Sequence, residues 1–263
     1  MPHGDVPCRL RGDDEPTIDE MLSEETTPIT FGLAEGTHFL FDYAGNHLVG
    51  ADTIEIEHSN SEFRSVDRSV DLRQGKHRLL WIRGLSGSSL YWSKYKSEGV
   101  DYDAETGMVS CTNLNLDPLP QYCFKDIEVT PYLMPTQTLD YQPLWARLRI
   151  YIYTDIPVDD ISKTTITLPY IKSVGLEDNR YTTKENAVLY LALSVNPGEK
   201  CCLYLLAKTL CPKDGLDDVE LLCNIGSLAY KLPKISLRRG QITEIEGTLQ
   251  RNATGDFSVT MHQ

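Results

Sequence analysis

The residues with the clearest claim to ion chemistry are Asp101, Asp103 and Glu105, in the stretch Asp-Tyr-Asp-Ala-Glu-Thr-Gly that ends at Gly107. Alternate carboxylates on a short loop turn their oxygens to one side, which suits calcium, a hard cation that takes oxygen ligands. The glycine falls one place late for an EF-hand, and no glutamate stands at the twelfth position. Those departures favour a solvated acidic turn over a calcium loop. A second chemistry is offered by aromatic side chains. Tyr91, Trp92 and Tyr95 follow Trp81, and Trp145, Tyr151 and Tyr153 recur at even spacing further on. An exposed row of such rings is a platform for sugars or for a partner protein. The more ordinary role of large aromatics is burial, with Trp81 in a core and the others covering a contact between two halves of the chain.

Covalent chemistry finds no support. There is no nucleophile elbow, phosphate loop, dinucleotide glycine pattern or His-Glu-x-x-His helix, and the six histidines are scattered. The seven cysteines include no Cys-x-x-Cys pair, so a structural zinc site is not indicated. Most read as small buried hydrophobes. Bridges Cys111–Cys123 and Cys202–Cys223 stay open as alternatives in an oxidising compartment. The expectation is a protein without enzymatic activity, cofactor or bound transition metal.

The scaffold that would position these residues is organised around residues 144–154. Leu144, Ala146, Leu148, Ile150 and Ile152 alternate with Trp145, Arg147, Arg149, Tyr151 and Tyr153. A period of two is the mark of a half-buried strand, because successive side chains of a pleated strand point to opposite faces. The spacing predicts Leu148, Ile150 and Ile152 inside a core, with Arg147 and Arg149 outside it. Similar short runs recur along the whole chain, separated by Gly, Asn and Asp turns, and nowhere does an apolar 3.6 period persist for three turns. The chain therefore reads as all-β. Its strand count fits two sandwiches in tandem: an acidic, mobile leader over residues 1–28, a first sandwich over 29–143 and a second over 144–263. Leu72-Arg73-Gln74-Gly75-Lys76 and Leu237-Arg238-Arg239-Gly240-Gln241 echo one another, each glycine placed for a turn before a long strand.

A length of 263 residues accommodates two such cores, and a hydrophobic fraction of 41% fills them. The net charge of −13 argues against nucleic acid, which needs a concentrated basic surface. No run of about eighteen apolar residues occurs to span a membrane as a helix. The first residues are too polar for a secretion signal, so the protein is either cytosolic or exported by a signal absent from this sequence. The terminal segment 256–261 places Phe257, Val259 and Met261 on one face. Such a strand either closes its own sheet or enters a neighbour's groove. Residues 251–255, rich in turn formers, precede it as a hinge.

In this order of strands the sequence resembles the fimbrillin-like surface proteins of Bacteroidales, subunits and accessory proteins of type V pili. The resemblance lies in Phe39-Leu40-Phe41-Asp42-Tyr43-Ala44-Gly45, in residues 72–81 with His77 where an aromatic is usual, in residues 144–150, and in residues 235–249 followed by Phe257-Ser258-Val259. It implies transthyretin-like sandwiches, export as a lipoprotein and display at the cell surface or outer membrane. Its implied partners are other fimbrial subunits, joined by β-strand addition, together with a host or glycan ligand. In the shaft subunits of that family, cleavage after an arginine frees a first strand. Here Arg9 and Arg11 precede the first strand and the next arginine is Arg64, which implies an accessory, tip or anchor role. The competing expectation is a carbohydrate-binding surface protein of a glycan-uptake system.

Overall fold

A computed structural model describes residues 16–57, 65–85, 100–111, 119–154, 163–194, 201–250 and 255–262. After one helical turn, α1 (Ile18–Met21), the first half of the chain runs through β1 (Leu22–Leu33), β2 (Gly36–Ala44), β3 (His47–Ile56), β4 (Val66–Arg83), β5 (Val100–Asp103), β6 (Met108–Cys111), β7 (Gln121–Val129), β8 (Gln137–Thr138) and β9 (Gln142–Pro143). The second half holds β10 (Trp145–Thr154), β11 (Thr164–Gly175), β12 (Tyr181–Tyr190), β13 (Ala192–Ser194), β14 (Cys201–Leu210) and β15 (Leu216–Val219). It closes with β16 (Leu222–Ile225), β17 (Leu228–Lys231), β18 (Ile235–Leu237), β19 (Ile242–Leu249) and β20 (Gly255–His262). The all-β class follows from the short-period patterning throughout. Among the described residues no helix is long and apolar enough to cross a membrane.

Strand β10 is central, as its alternation demands. It lies antiparallel to β14 and parallel to β19 in a five-stranded sheet ordered β13-β14-β10-β19-β20. Leu148, Ile150 and Ile152 are buried, and Arg147 and Arg149 stand on the opposite, half-exposed face. The buried stripe shares a core with Ile166 and Leu168 of β11 and Cys223 and Ile225 of β16, which belong to a second, six-stranded sheet. Each aliphatic side chain sealed there contributes about 1.5–3 kcal/mol relative to exposure.

The first half is built on a seven-stranded sheet in which β4, 18 residues long, pairs with β1 along its first part and with β2 and β7 along its last. That last part reads Leu79-Leu80-Trp81-Ile82, all four fully buried. Leu79 and Trp81 face a core with Ile29, Phe31 and Leu33, while Leu80 and Ile82 face another with Phe39 and Phe41. A continuous apolar run is what a strand covered on both faces requires.

That second core is the seam of the molecule. It draws Val100, Val109 and Cys111 from the β5–β6 hairpin, Ile171 and Val174 from β11, and Leu144 and Leu210 from the flanks of β10 and β14. The hairpin lies before residue 143 in the chain, yet β6 hydrogen-bonds to β11, Ser173 opposite Ser110 and Val174 opposite Val109. The edge of the six-stranded sheet is thus supplied from the first half.

Three local readings change. Strand β1 begins at Leu22, inside the stretch read as a leader: Thr26 and Thr27 pair with Arg73 and Leu72, and Glu24 and Glu25 take exposed positions. Acidic residues do not prevent a strand when they face outward. One of the recurring runs is longer than the short-run pattern suggests: Thr164–Gly175 is one strand, β11, that continues through a proline. Its Pro169 falls between the stretch bonded to β16, which ends at Thr167, and the stretch bonded to β6, which starts at Ser173. A residue without an N–H is tolerated at such a gap. Gly75 is no turn either; it sits inside β4 with φ +140°, where an added Cβ would lie 2.6 Å from the Met21 carbonyl oxygen. Gly240, its echo, does occupy a turn, with φ +72°.

Candidate functional site

The acidic stretch forms the β5–β6 hairpin. Tyr102 turns inward to pack on Phe41, and its hydroxyl lies 2.9 Å from that of Tyr43. Period two then leaves Asp101 and Asp103 on the other face. Asp103 accepts from the Glu105 amide at 2.9 Å and from the Thr106 hydroxyl at 2.8 Å, and its carbonyl accepts from the Gly107 amide. Arg180 donates to the Thr106 carbonyl at 2.8 Å. The Asp103 oxygens are thus engaged by donors of the turn, and the Thr106 carbonyl by a guanidinium. Among the described residues no group of three or more His, Cys, Asp or Glu side chains is placed to hold a metal.

The aromatic candidates Tyr91, Trp92 and Tyr95 lie outside the described residues, as do Cys8 and residues 251–254. Trp81 is core. Of the β10 residues, Tyr151 stands directly opposite Tyr204 of β14, Tyr153 opposite Cys202 and Arg149 opposite Leu206, all on the outer face of the five-stranded sheet. Tyr153 and Tyr204 are each 36% exposed and Leu206 is 64% exposed. Arg149 reaches Glu244 on the neighbouring strand at 3.9 Å.

The terminal strand β20 pairs antiparallel with β19 along its length, from His262 opposite Ile242 to Gly255 opposite Leu249. Phe257 lies opposite Gly247, where a Cβ would meet the ring at 2.3 Å, and packs against the second-half core. Val259 and Met261 stand opposite the buried Ile245 and Thr243, on the same inward face, but are 42% and 41% exposed. The apolar face of this edge strand is thus only partly covered.

Two buried histidines escaped the sequence reading, since their partners lie far away along the chain. In His38, Nε2 donates to the Ala34 carbonyl and Nδ1 accepts from the Tyr141 hydroxyl, each at 2.7 Å, so the ring is neutral. Burial lowers its pKa, the Ala34 carbonyl opposes this, and the charge of Arg83 lowers it further. In His77, Nδ1 meets Asp42 and Nε2 meets the Arg73 carbonyl, again at 2.7 Å. Both partners are acceptors, so the ring is an imidazolium. Burial opposes that charge, but the hydrogen bond and attraction of Asp42, with the Arg73 carbonyl, raise the pKa above the ordinary value. With both nitrogens engaged, neither ring is free to take a proton from a substrate.

Cys111, Cys123, Cys202, Cys211 and Cys223 are free thiols, so neither candidate bridge forms. Cys111 and Cys123 belong to different cores, and Cys202 lies on the outer face while Cys223 is buried. Burial pushes the Cys211 thiol up to about 11 and that of Cys223 to about 12, far from a reactive thiolate.

No protein-family model matches the sequence, and no relative is found among curated proteins. Solved structures do match. A candidate adhesin of Bacteroides thetaiotaomicron is 13% identical with a TM-score of 0.60, over 86% of this chain and 89% of that one. A candidate polysaccharide-binding protein of the same organism is 11% identical with a TM-score of 0.58, over 88% and 90%. The C-terminally truncated tip fimbrial protein Mfa3 of Porphyromonas gingivalis is 9% identical with a TM-score of 0.53, over 90% and 99%. The resemblance to the fimbrillin-like proteins of Bacteroidales holds at the level of the fold.

Proposed function

We infer that this chain is a non-enzymatic protein of the bacterial cell surface, of the fimbrial or adhesin type. The observation that carries the reading is that its fold follows a tip fimbrial protein over nearly the whole of that protein's C-terminally truncated chain. Its partners are other fimbrial subunits, met by β-strand addition, and β20 supports this. Among the described residues it is an edge strand, paired on one side only, with a half-covered apolar face at Val259 and Met261. An accessory, tip or anchor place, rather than a place in the shaft, is supported by β1. Ile29, Phe31 and Leu33 are fully buried, and no arginine lies between Arg11 and Arg64, so none directly follows β1 at which cutting would free that strand alone. Display by lipid anchoring at the outer membrane and a division into two transthyretin-like units near Leu144 belong to the same proposal.

Immunogold labelling of a Bacteroidales host expressing the chain tests it. Label at filament ends or bases is expected. Uniform label along the shaft would sink the accessory role, and an unlabelled surface would sink the whole reading. A second reading, carbohydrate binding, is favoured by the open row of Tyr151, Tyr153 and Tyr204 and by the candidate polysaccharide-binding protein that shares the fold.

A further inference from the structure

A cleft of about 370 Å³ opens where the two halves meet, within the size range of ligand pockets. Its walls include Thr37, Arg83 and Gln121 from the first half and Arg147 from β10. Both guanidiniums lie over aromatic rings. Arg83 lies 4.7 Å from the Tyr141 ring centre and donates through Nε to Gln121 at 2.6 Å. Arg147 lies 4.6 Å from the Trp145 ring centre. Among the described residues the Nη atoms of Arg83 make no hydrogen bond, and the buried Nε of Arg147 has no hydrogen-bond partner. Lys208, directly across from Arg147 on β14, and Glu35 complete the rim, each engaged in contacts of its own.

A buried donor left unpaired is costly. That cost is relieved when an anion pairs with the Arg147 fork. Two fixed, planar forks suit a carboxylate, which they grip through paired N–H bonds. A net charge of −13 holds polyanions off the rest of the surface, so the cleft is a local exception. It also lies at one end of the tyrosine-bearing face. From Arg147 the outer side chains of β10 and β14 lead through Arg149 and Leu206 to the Tyr151–Tyr204 pair, about 13 Å away along the strand. Tyrosine rings present flat faces to the C–H faces of pyranoses, and Thr37 and Gln121 offer hydrogen bonds to hydroxyls.

We propose that this cleft is the recognition site for a uronic-acid unit of an acidic oligosaccharide, whose following rings lie along Tyr151 and Tyr204. The proposal deepens the carbohydrate-binding reading and rests on it only in taking the carboxylate to be that of a sugar. It is tested by calorimetric titration of the full chain with a galacturonate trimer, with maltotriose as the neutral control and inorganic phosphate as the competitor. The trimer is expected to bind at least about tenfold more tightly than maltotriose, a difference of about 1.4 kcal/mol. Phosphate at equal concentration should not displace it. Arg147→Lys keeps the charge but loses the fork and should weaken the trimer about tenfold, with Arg83→Lys acting in the same direction. Tyr204→Ala should weaken it less. Melting temperatures of the variants confirm that they are folded. Equal binding of trimer and maltotriose, displacement by phosphate, or unchanged affinity in folded Arg147→Lys would overturn the site. Maltotriose binding lost only in Tyr204→Ala would overturn the cleft while leaving the carbohydrate reading standing.

Discussion

Strand β4 buries four consecutive side chains, Leu79 to Ile82, whereas β10 buries every second one. Both are central, and both pair on two edges. The difference lies in what covers their faces. The end of β4 is packed between the first-half core and the seam, so neither face meets water. The second face of β10 carries Arg147, Arg149, Tyr151 and Tyr153, and with β14 and β19 it stays open. A sheet buried on both sides is committed to stability. A sheet with an open face keeps one set of side chains available for recognition, and the basic cleft and the tyrosine row both lie there.

The comparison breaks if truncation on β4 is tolerated. Trp81→Ala is expected to cost about 3–5 kcal/mol, and Ile150→Ala, on the single buried face of β10, about 2–5. Urea unfolding monitored by circular dichroism measures both. A loss below about 1 kcal/mol for Trp81→Ala would mean that β4 is not doubly covered. Gly75→Ala should cost about 1–3 kcal/mol, because its positive φ and its approach to Met21 leave no room for a side chain. Stability equal to that of the parent would mean that this position in β4 does not require glycine.

The two histidines sharpen the contrast within the first half, where one is buried neutral and the other charged. His77 has a raised folded pKa. Its contribution is fully present below the ordinary histidine value of about 6.5 and is lost as pH rises through the folded pKa. His38 has a lowered folded pKa, so stability falls as pH drops below about 6.5, where the unfolded chain binds the proton more readily. His77→Gln should flatten the alkaline side of the stability profile and His38→Gln the acid side of this region. Profiles that change on the same side for both variants would contradict the assigned protonation states. The smallest effect is expected at the open face, where Tyr153→Ser should change stability by no more than about 0.5 kcal/mol. A larger loss would show that this face is covered.

Alternation over residues 144–154 was enough to place β10, its buried stripe and its outward arginines, because period two is a property of the strand itself. The continuous apolar run at Leu79–Ile82 is present in the sequence, but what covers both its faces is not. The Gly75 echo misled: a glycine that permits a turn equally permits a kink in a strand, and only the neighbours at Met21 and Leu22 decide between them. Other features had no local signal. Asp42 and His77 meet across paired strands, Arg83 and Arg147 meet across the seam, and the β5–β6 hairpin joins a sheet whose other strands lie later in the chain.

Local composition and periodicity therefore determined the all-β class, and for a strand such as β10 its extent and the face it buries, since these depend on side chains a few residues apart. Tertiary structure alone decided which sheet each strand joined, which histidine holds a charge and where two distant arginines form one cleft. Those outcomes depend on desolvation and on partners brought together only when the chain packs.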